Sequence, residues 1–195
     1  MKKTVKIMAF VLCAVMLVVG SVFGTYAYLT STTEEVKNTF TVGNVKITLD
    51  ESKVTEYGVL DGTARVTENT YKLVPNKAYI KNPVIHVTAD SEPCYVFVRI
   101  TNNIDDVIVD DCIEAQLRAH NWILVDGETE VYMKESAISG GGDVEVFESF
   151  TTKADVNNAT LATYEGKTIV VVGYAVQKEG FDSAQAAWDA TFGNN

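Results

Sequence analysis

The sequence predicts a mainly β protein: a jelly-roll-like antiparallel β-sandwich with two short helices, preceded by an N-terminal signal helix. Three observations carry this expectation. Short stretches rich in β-branched and aromatic residues recur along the chain, several with alternating polarity. Turn-forming runs such as Asp90-Ser91-Glu92-Pro93 and Asp126-Gly127 separate them. Helical spacing of apolar residues interrupts the pattern only twice.

The first strand is expected over Thr39 to Leu49, where Phe40 and Val42 alternate and Val45, Ile47 and Leu49 resume in the opposite parity after Gly43-Asn44. A change of parity of this kind predicts a bulge or turn within the strand. Tyr71 to Val74 reads as a short strand ended by Pro75-Asn76. Val84 to Thr88 and Tyr95 to Thr101 read as a paired unit joined by the turn at Asp90 to Pro93. Trp122 to Val125 and Glu130 to Met133 flank Asp126-Gly127, a hairpin signal. Val144 to Thr152 follows the flexible Gly140-Gly141-Gly142, and Thr168 to Gln177 is a nearly continuous apolar run, as expected of a central strand buried on both faces.

The first helix is expected over Asp110 to His120, with Ile113 and Leu117 on one face. The second follows Asp182, which can cap it with Gln185 as the partner in a capping-box variant. Phe181, Ala184, Trp188 and Phe192 form its apolar stripe, read as core packing, and Asp189 lies on its wet side.

Ahead of these elements stand Lys2, Lys3 and Lys6, an uncharged apolar run from Ile7 to Gly24, and Thr25-Tyr26-Ala27. A basic start, an apolar middle and small residues at the −3 and −1 positions predict a secretory signal peptide cut between Ala27 and Tyr28. The run is long for a secretory segment, typically about 7–15 residues, so an uncleaved membrane anchor is the competing reading. Gly20, Ser21, Gly24 and Thr25 weaken the anchor reading. Both place the rest of the chain outside the membrane, since the lysines favour a cytoplasmic N-terminus. The domains are therefore read as signal peptide 1–27, leader 28–38 and β-sandwich 39–195.

Three of the 16 basic residues precede the cut and all 26 acidic residues follow it, leaving a net charge of −13 on the exported chain. Such a chain repels nucleic acid and anionic surfaces. Nucleic acid is therefore excluded as a partner, and membrane contact is expected only through an uncleaved signal segment. Cys94 and Cys112 remain after the cut. They can form a disulfide closing a loop of about 19 residues, worth roughly 3 kcal/mol, or stay as two small buried hydrophobes.

No catalytic, cofactor-binding or metal-ligating set emerges from the residue spacing. His86 alternates with Ile85 and Val87 in a strand and reads as a surface or edge residue, while His120 reads as a helix-end residue beside Trp122. Neither belongs to an H-E-x-x-H motif, and C-x-x-C, G-x-S-x-G, P-loop and dinucleotide motifs do not occur. Asp105-Asp106 and Asp110-Asp111 form an acidic loop without calcium-loop spacing, read as solvated carboxylates.

Gly24 to Thr30, followed by Asn38-Thr39-Phe40-Thr41-Val42-Gly43-Asn44-Val45-Lys46-Ile47-Thr48-Leu49-Asp50-Glu51, resembles exported proteins of Gram-positive bacteria with a SipW-type signal peptide, the TasA and camelysin group of biofilm-matrix and surface proteins. Tyr71 to Asn76 with Lys81-Asn82-Pro83, and Tyr174 to Gln177 with Ala187-Trp188, are similar to later elements of that family. The resemblance implies cleavage after Ala27 by a dedicated signal peptidase, a secreted or surface location, and a jelly-roll-like sandwich. It also implies fibre assembly, in which the freed segment, here Tyr28 to Phe40, adds as a strand to a neighbouring copy. The alternative for that segment is an unpaired leader before the first strand.

The leading expectation is thus a secreted, non-enzymatic cell-surface or biofilm-matrix protein without a cofactor, a candidate fibre subunit. Camelysin-type relatives are described as metallopeptidases, so a surface metallopeptidase is the second expectation. A membrane-anchored module that binds a ligand or cation is the third.

Overall fold

The computed structural model describes Lys3 and residues 44–193. The chain divides into two compact units, Met1–Thr41 and Val42–Asn195, and the described fold is that of the second. The signal segment, the Ala27-Tyr28 junction, the leader and the strand start at 39–43 lie outside the described residues.

The fold is mainly β and sandwich-like. Its strands are β1 (Ile47–Val54), β2 (Leu60–Val66), β3 (Ala78–Ile80), β4 (Val84–Val87), β5 (Cys94–Asn102), β6 (Ile123–Leu124), β7 (Val131–Met133), β8 (Asp143–Glu145), β9 (Ser149–Thr151) and β10 (Ile169–Gln177). Three helices accompany them among the described residues, α1 (Cys112–Ala119), α2 (Asn158–Ala162) and α3 (Ala184–Thr191), together with a 3-10 turn at Asp105–Val107. One antiparallel sheet has the order β2-β1-β4-β8, a second β10-β5-β7-β6, and β3 pairs with β9 alone.

Side-chain alternation along the strands makes the core. Ile85, Val87 and Val144 of the first sheet share one apolar cluster with Val96, Val98 and Ile100 of β5, and Ile47, Leu49, Ile169, Val171 and Ala175 pack against it. A Cβ at Gly173 of β10 would stand 3.2 Å from Cδ1 of Ile85, so the missing side chain lets the two sheets approach there. The opposite face of the second sheet holds Tyr95, Phe97, Val131 and Val176, covered by Ala184, Ala187 and Trp188 of α3. Trp188 lies 5.1 Å from Phe97 and 4.6 Å from Phe192, ring centre to ring centre. The expected aromatic stripe therefore packs into the core.

Burial on both faces belongs to β5, which runs between β10 and β7, and not to the Thr168 to Gln177 segment. β10 is terminal in its sheet among the described residues, and its Val170 and Val172 are 44% and 38% exposed. Val84 to Thr88 and Tyr95 to Thr101 also do not pair. β4 lies between β1 and β8, and the turn at Asp90 to Pro93 leads from one sheet to the other. The stretch from Val144 to Thr152 splits into β8, which pairs with β4, and β9, which pairs with β3 in a separate two-stranded sheet, and Val146 and Phe147 between them are both buried.

Tyr71 to Val74 is irregular, although Tyr71 and Leu73 still pack on the core. The bulge expected at Gly43-Asn44 falls at the edge of the described residues, with Gly43 outside them. β1 has an irregularity between Ser52 and Val54. There β1 has outrun β4, and side chains replace the missing strand. Asn82 accepts from the Ser52 N–H at 2.9 Å, and Asn69 accepts from the Val54 N–H at 3.0 Å. β2 and α2 had no periodic signal: β2 is exposed nearly throughout and is held by its ladder to β1.

The hairpin at Asp126-Gly127 forms as expected, joining β6 to β7, with Gly127 at φ 85°. α1 buries Ile113 and Leu117 as expected but begins at Cys112. α3 is capped by Ser183, whose hydroxyl accepts from the Ala186 N–H, and not by Asp182. Gln185 consequently does not close a capping box; its carbonyl accepts from the Asp126 N–H and its amide donates to Asp189.

Candidate functional site

The two long terminal strands among the described residues are β2 and β10, since β6 and β8 have only 2 and 3 residues. β2 carries the features that discourage a further strand: Asp61, Arg65 and Gly62 at φ 79°, with Lys53 and Asp61 paired at 2.6 Å. β10 carries none of them. Its nine residues, Ile-Val-Val-Val-Gly-Tyr-Ala-Val-Gln, contain no charge and no proline.

The ladder to β5 fixes which backbone groups of β10 remain available. Asn103 donates to the Thr168 carbonyl and Lys178 donates to the Pro93 carbonyl, so even-numbered residues on this strand hydrogen-bond toward β5. The odd-numbered residues, Ile169, Val171, Gly173 and Ala175, direct N–H and C=O groups to the side where no strand pairs with β10 among the described residues. Val170 and Val172 make the first half of the outer face apolar, whereas α3 covers the second half through Tyr174 and Val176. The uninterrupted apolar run was visible in the sequence, but it suits an uncapped edge as well as a buried centre.

Two polar clusters lie on the first sheet and beside it. His86 of β4 stands opposite Asp143 of β8 and diagonally from Asp50 of β1. Its Nδ1 is 2.6 Å from Asp143 Oδ1 and its Nε2 is 3.0 Å from Asp50 Oδ1, while Arg65 of β2 also donates to Asp50. The hydrogen bond to Asp50, then that to Asp143, raises the imidazole above its ordinary value against the effect of burial. Burial also works against ionisation of Asp50, but Arg65 and His86 together hold its carboxyl below the usual range. His86 is thus a sheet-surface residue, as its alternation predicted, with two carboxylate partners that the sequence did not reveal.

The second cluster joins His120, at the C-terminal end of α1, to Glu145 at the end of β8 and Glu148 before β9. Their ligand atoms lie within 4.8 Å of one another. Both glutamates also line a groove of about 550 Å³ with Arg65, Tyr79 and Phe147. Sequence spacing could not find this set, because His120 is brought to the glutamates by the fold alone.

The acidic loop does not converge on one point. Asp110 pairs with Lys153 at 2.8 Å, Asp111 with Arg118, Asp105 accepts from Asn102, and Asp106 accepts from the Tyr164 hydroxyl. Cys94 begins β5 and Cys112 begins α1; both are free thiols, with no disulfide between them, and burial raises both above their ordinary values. No helix among the described residues is long and apolar enough to cross a membrane.

Comparison with known proteins finds no matching family model, no matching curated protein and no matching solved structure.

Proposed function

We propose that this is an exported, non-enzymatic cell-surface or extracellular-matrix protein whose sandwich assembles into fibres by accepting the leader of another copy along β10. The observation that carries the reading is the contrast between the two long edges: β2 is blunted by charge and glycine, and β10 is not. An extended segment added there would gain backbone hydrogen bonds from the odd-numbered residues and apolar contact from Val170 and Val172. The chain supplies a donor, Tyr28 to Phe40, long enough to run the length of the nine-residue β10, and it carries Tyr28, Leu29, Val36 and Phe40. Cleavage between Ala27 and Tyr28 by a signal peptidase would free that donor, so export and assembly are coupled by one cut.

The test is electron microscopy of the mature protein beginning at Tyr28 beside a version lacking Tyr28 to Asn38. Fibres from the first and none from the second support strand donation. Two monomeric samples, or fibres from both, overturn it.

A further inference from the structure

We infer that His120, Glu145 and Glu148 form a zinc-binding site. The set supplies one imidazole nitrogen and two carboxylate oxygens, a donor mixture that suits zinc and related transition ions; hard cations such as calcium and magnesium take oxygen alone. His120 Nδ1 lies 3.8 Å from Glu145 Oε2 and His120 Nε2 lies 3.7 Å from Glu148 Oε1. The two glutamates stand nearest different ring nitrogens, so one ion takes a single imidazole nitrogen and both carboxylates turn toward it. One ligand atom from each residue already lies within 4.8 Å of the others, and zinc bonds to such ligands are about 2.0–2.2 Å.

The backbone that carries the ligands is already fixed. Gln116, four residues before His120 on α1, accepts from the N–H groups of Glu148 at 2.8 Å and Ser149 at 3.1 Å and donates to the Ser149 carbonyl at 2.8 Å. Trp122, two residues after His120, donates its indole N–H to the Glu145 carbonyl at 2.8 Å. Both glutamates are therefore tied, through their own main chain, to the segment that presents the histidine. Lys134 donates to the His120 carbonyl and lies 4.8 Å over the Trp122 ring, which holds that segment from the other side. Supporting hydrogen bonds of this kind keep ligands in place before the ion arrives.

The electrostatics favour a cation. Among the described residues neither Glu145 nor Glu148 has a lysine or arginine within 4.0 Å, so two neighbouring carboxylates meet only the imidazole. An ion at their centre would replace that repulsion with two charge-neutralising bonds. Three protein ligands leave a fourth tetrahedral position for water or an outside donor. Zinc binding here neither requires assembly along β10 nor is required by it.

The test is zinc titration of the mature protein by calorimetry, with metal content measured after dialysis and with calcium in a parallel arm. One zinc per chain is expected, with calcium failing to compete. His120→Gln and Glu148→Gln should each weaken binding by about tenfold or more, whereas His86→Gln and a Cys94→Ser/Cys112→Ser double variant should leave it unchanged. Cobalt in place of zinc should give weak visible bands without a thiolate charge-transfer band, reporting nitrogen and oxygen ligation. Glu148 is exposed, so its variant answers the question even if the histidine change disturbs folding. Absence of saturable binding, or binding insensitive to both His120→Gln and Glu148→Gln, overturns the assignment.

Discussion

The Nδ1 of His86 lies 2.6 Å from the Oδ1 of Asp143, its cross-strand neighbour, while the other ring nitrogen faces Asp50 at 3.0 Å. A neutral imidazole has one N–H and can donate to only one of these carboxylates; the imidazolium donates to both. The arrangement therefore selects the charged form, and the fold links β1, β4 and β8 through a proton.

A pH dependence follows. The folded-state value of His86 is raised above about 6.5, so its contribution is fully present below that value and is lost as pH rises through the higher folded one. Asp50 contributes in the opposite sense: its folded value is lowered, and its contribution disappears as pH falls below the ordinary carboxylate range. Unfolding free energies from urea titrations at pH 6 and above should decline for the wild-type protein by up to about 1 kcal/mol and stay flatter for His86→Gln. Parallel curves for the two proteins would refute the proton link.

The edge of β10, unpaired among the described residues, permits a test that does not touch the leader. Val171 directs its N–H away from β5, so Val171→Pro removes a donor from the edge without removing a ladder bond. The proline ring does constrain φ, so the variant is paired with Val172→Lys, which places a charge on the exposed face of the same strand. Both should remain folded by circular dichroism and should abolish fibre growth of the mature protein. A charge on β2, at the exposed Thr63→Lys, should leave fibres intact. Fibres from both β10 variants would remove β10 as the acceptor.

Glu51 is 5% exposed and is held by Lys81 Nζ at 2.8 Å and Asn69 Nδ2 at 2.9 Å. Removing one partner of a buried pair leaves a charge without compensation, at a cost of about 3–5 kcal/mol, whereas removing both is far milder. Lys81→Met should therefore lower the urea midpoint sharply, and Glu51→Gln combined with Lys81→Met should recover most of the loss. A double variant as unstable as the single one would show that packing, and not charge, dominates this site.

Legibility in the sequence followed how local the deciding physics was. β4, β5, α1 and the Asp126-Gly127 hairpin were readable because β-branched runs, helical spacing and a positive-φ glycine act within a few residues. The places where reading failed are decided across the fold. Whether the Thr168 to Gln177 run is central or terminal depends on what pairs with it, and the strand buried on both faces proved to be β5. Tyr71 to Val74 has strand composition, yet its backbone is taken by Glu56 and by the Tyr79 hydroxyl. The His120, Glu145 and Glu148 set depends on Gln116 and Trp122 tying two distant segments together, which no spacing rule encodes.

Tyr79 sits where several of these long-range constraints meet. It is fully buried, its ring stacks on Phe150 at 5.0 Å, and its hydroxyl accepts from the Val74 N–H at 2.7 Å while donating to the Lys72 carbonyl at 2.8 Å. Tyr79→Phe keeps the stack but strips both main-chain groups of their partner, and should cost about 1–3 kcal/mol in urea unfolding. Gly58 approaches from the other side: a Cβ there would stand 2.7 Å from the Tyr79 Cα, and its φ is +69°. Gly58→Ala thus adds a left-handed backbone penalty of about 1–2 kcal/mol to a steric clash with main chain that cannot rotate away. It should destabilise more than Tyr79→Phe does, and because the two residues touch, the double variant should lose less than the sum of the two losses. A neutral Gly58→Ala would mean that the turn before β2 can move off Tyr79.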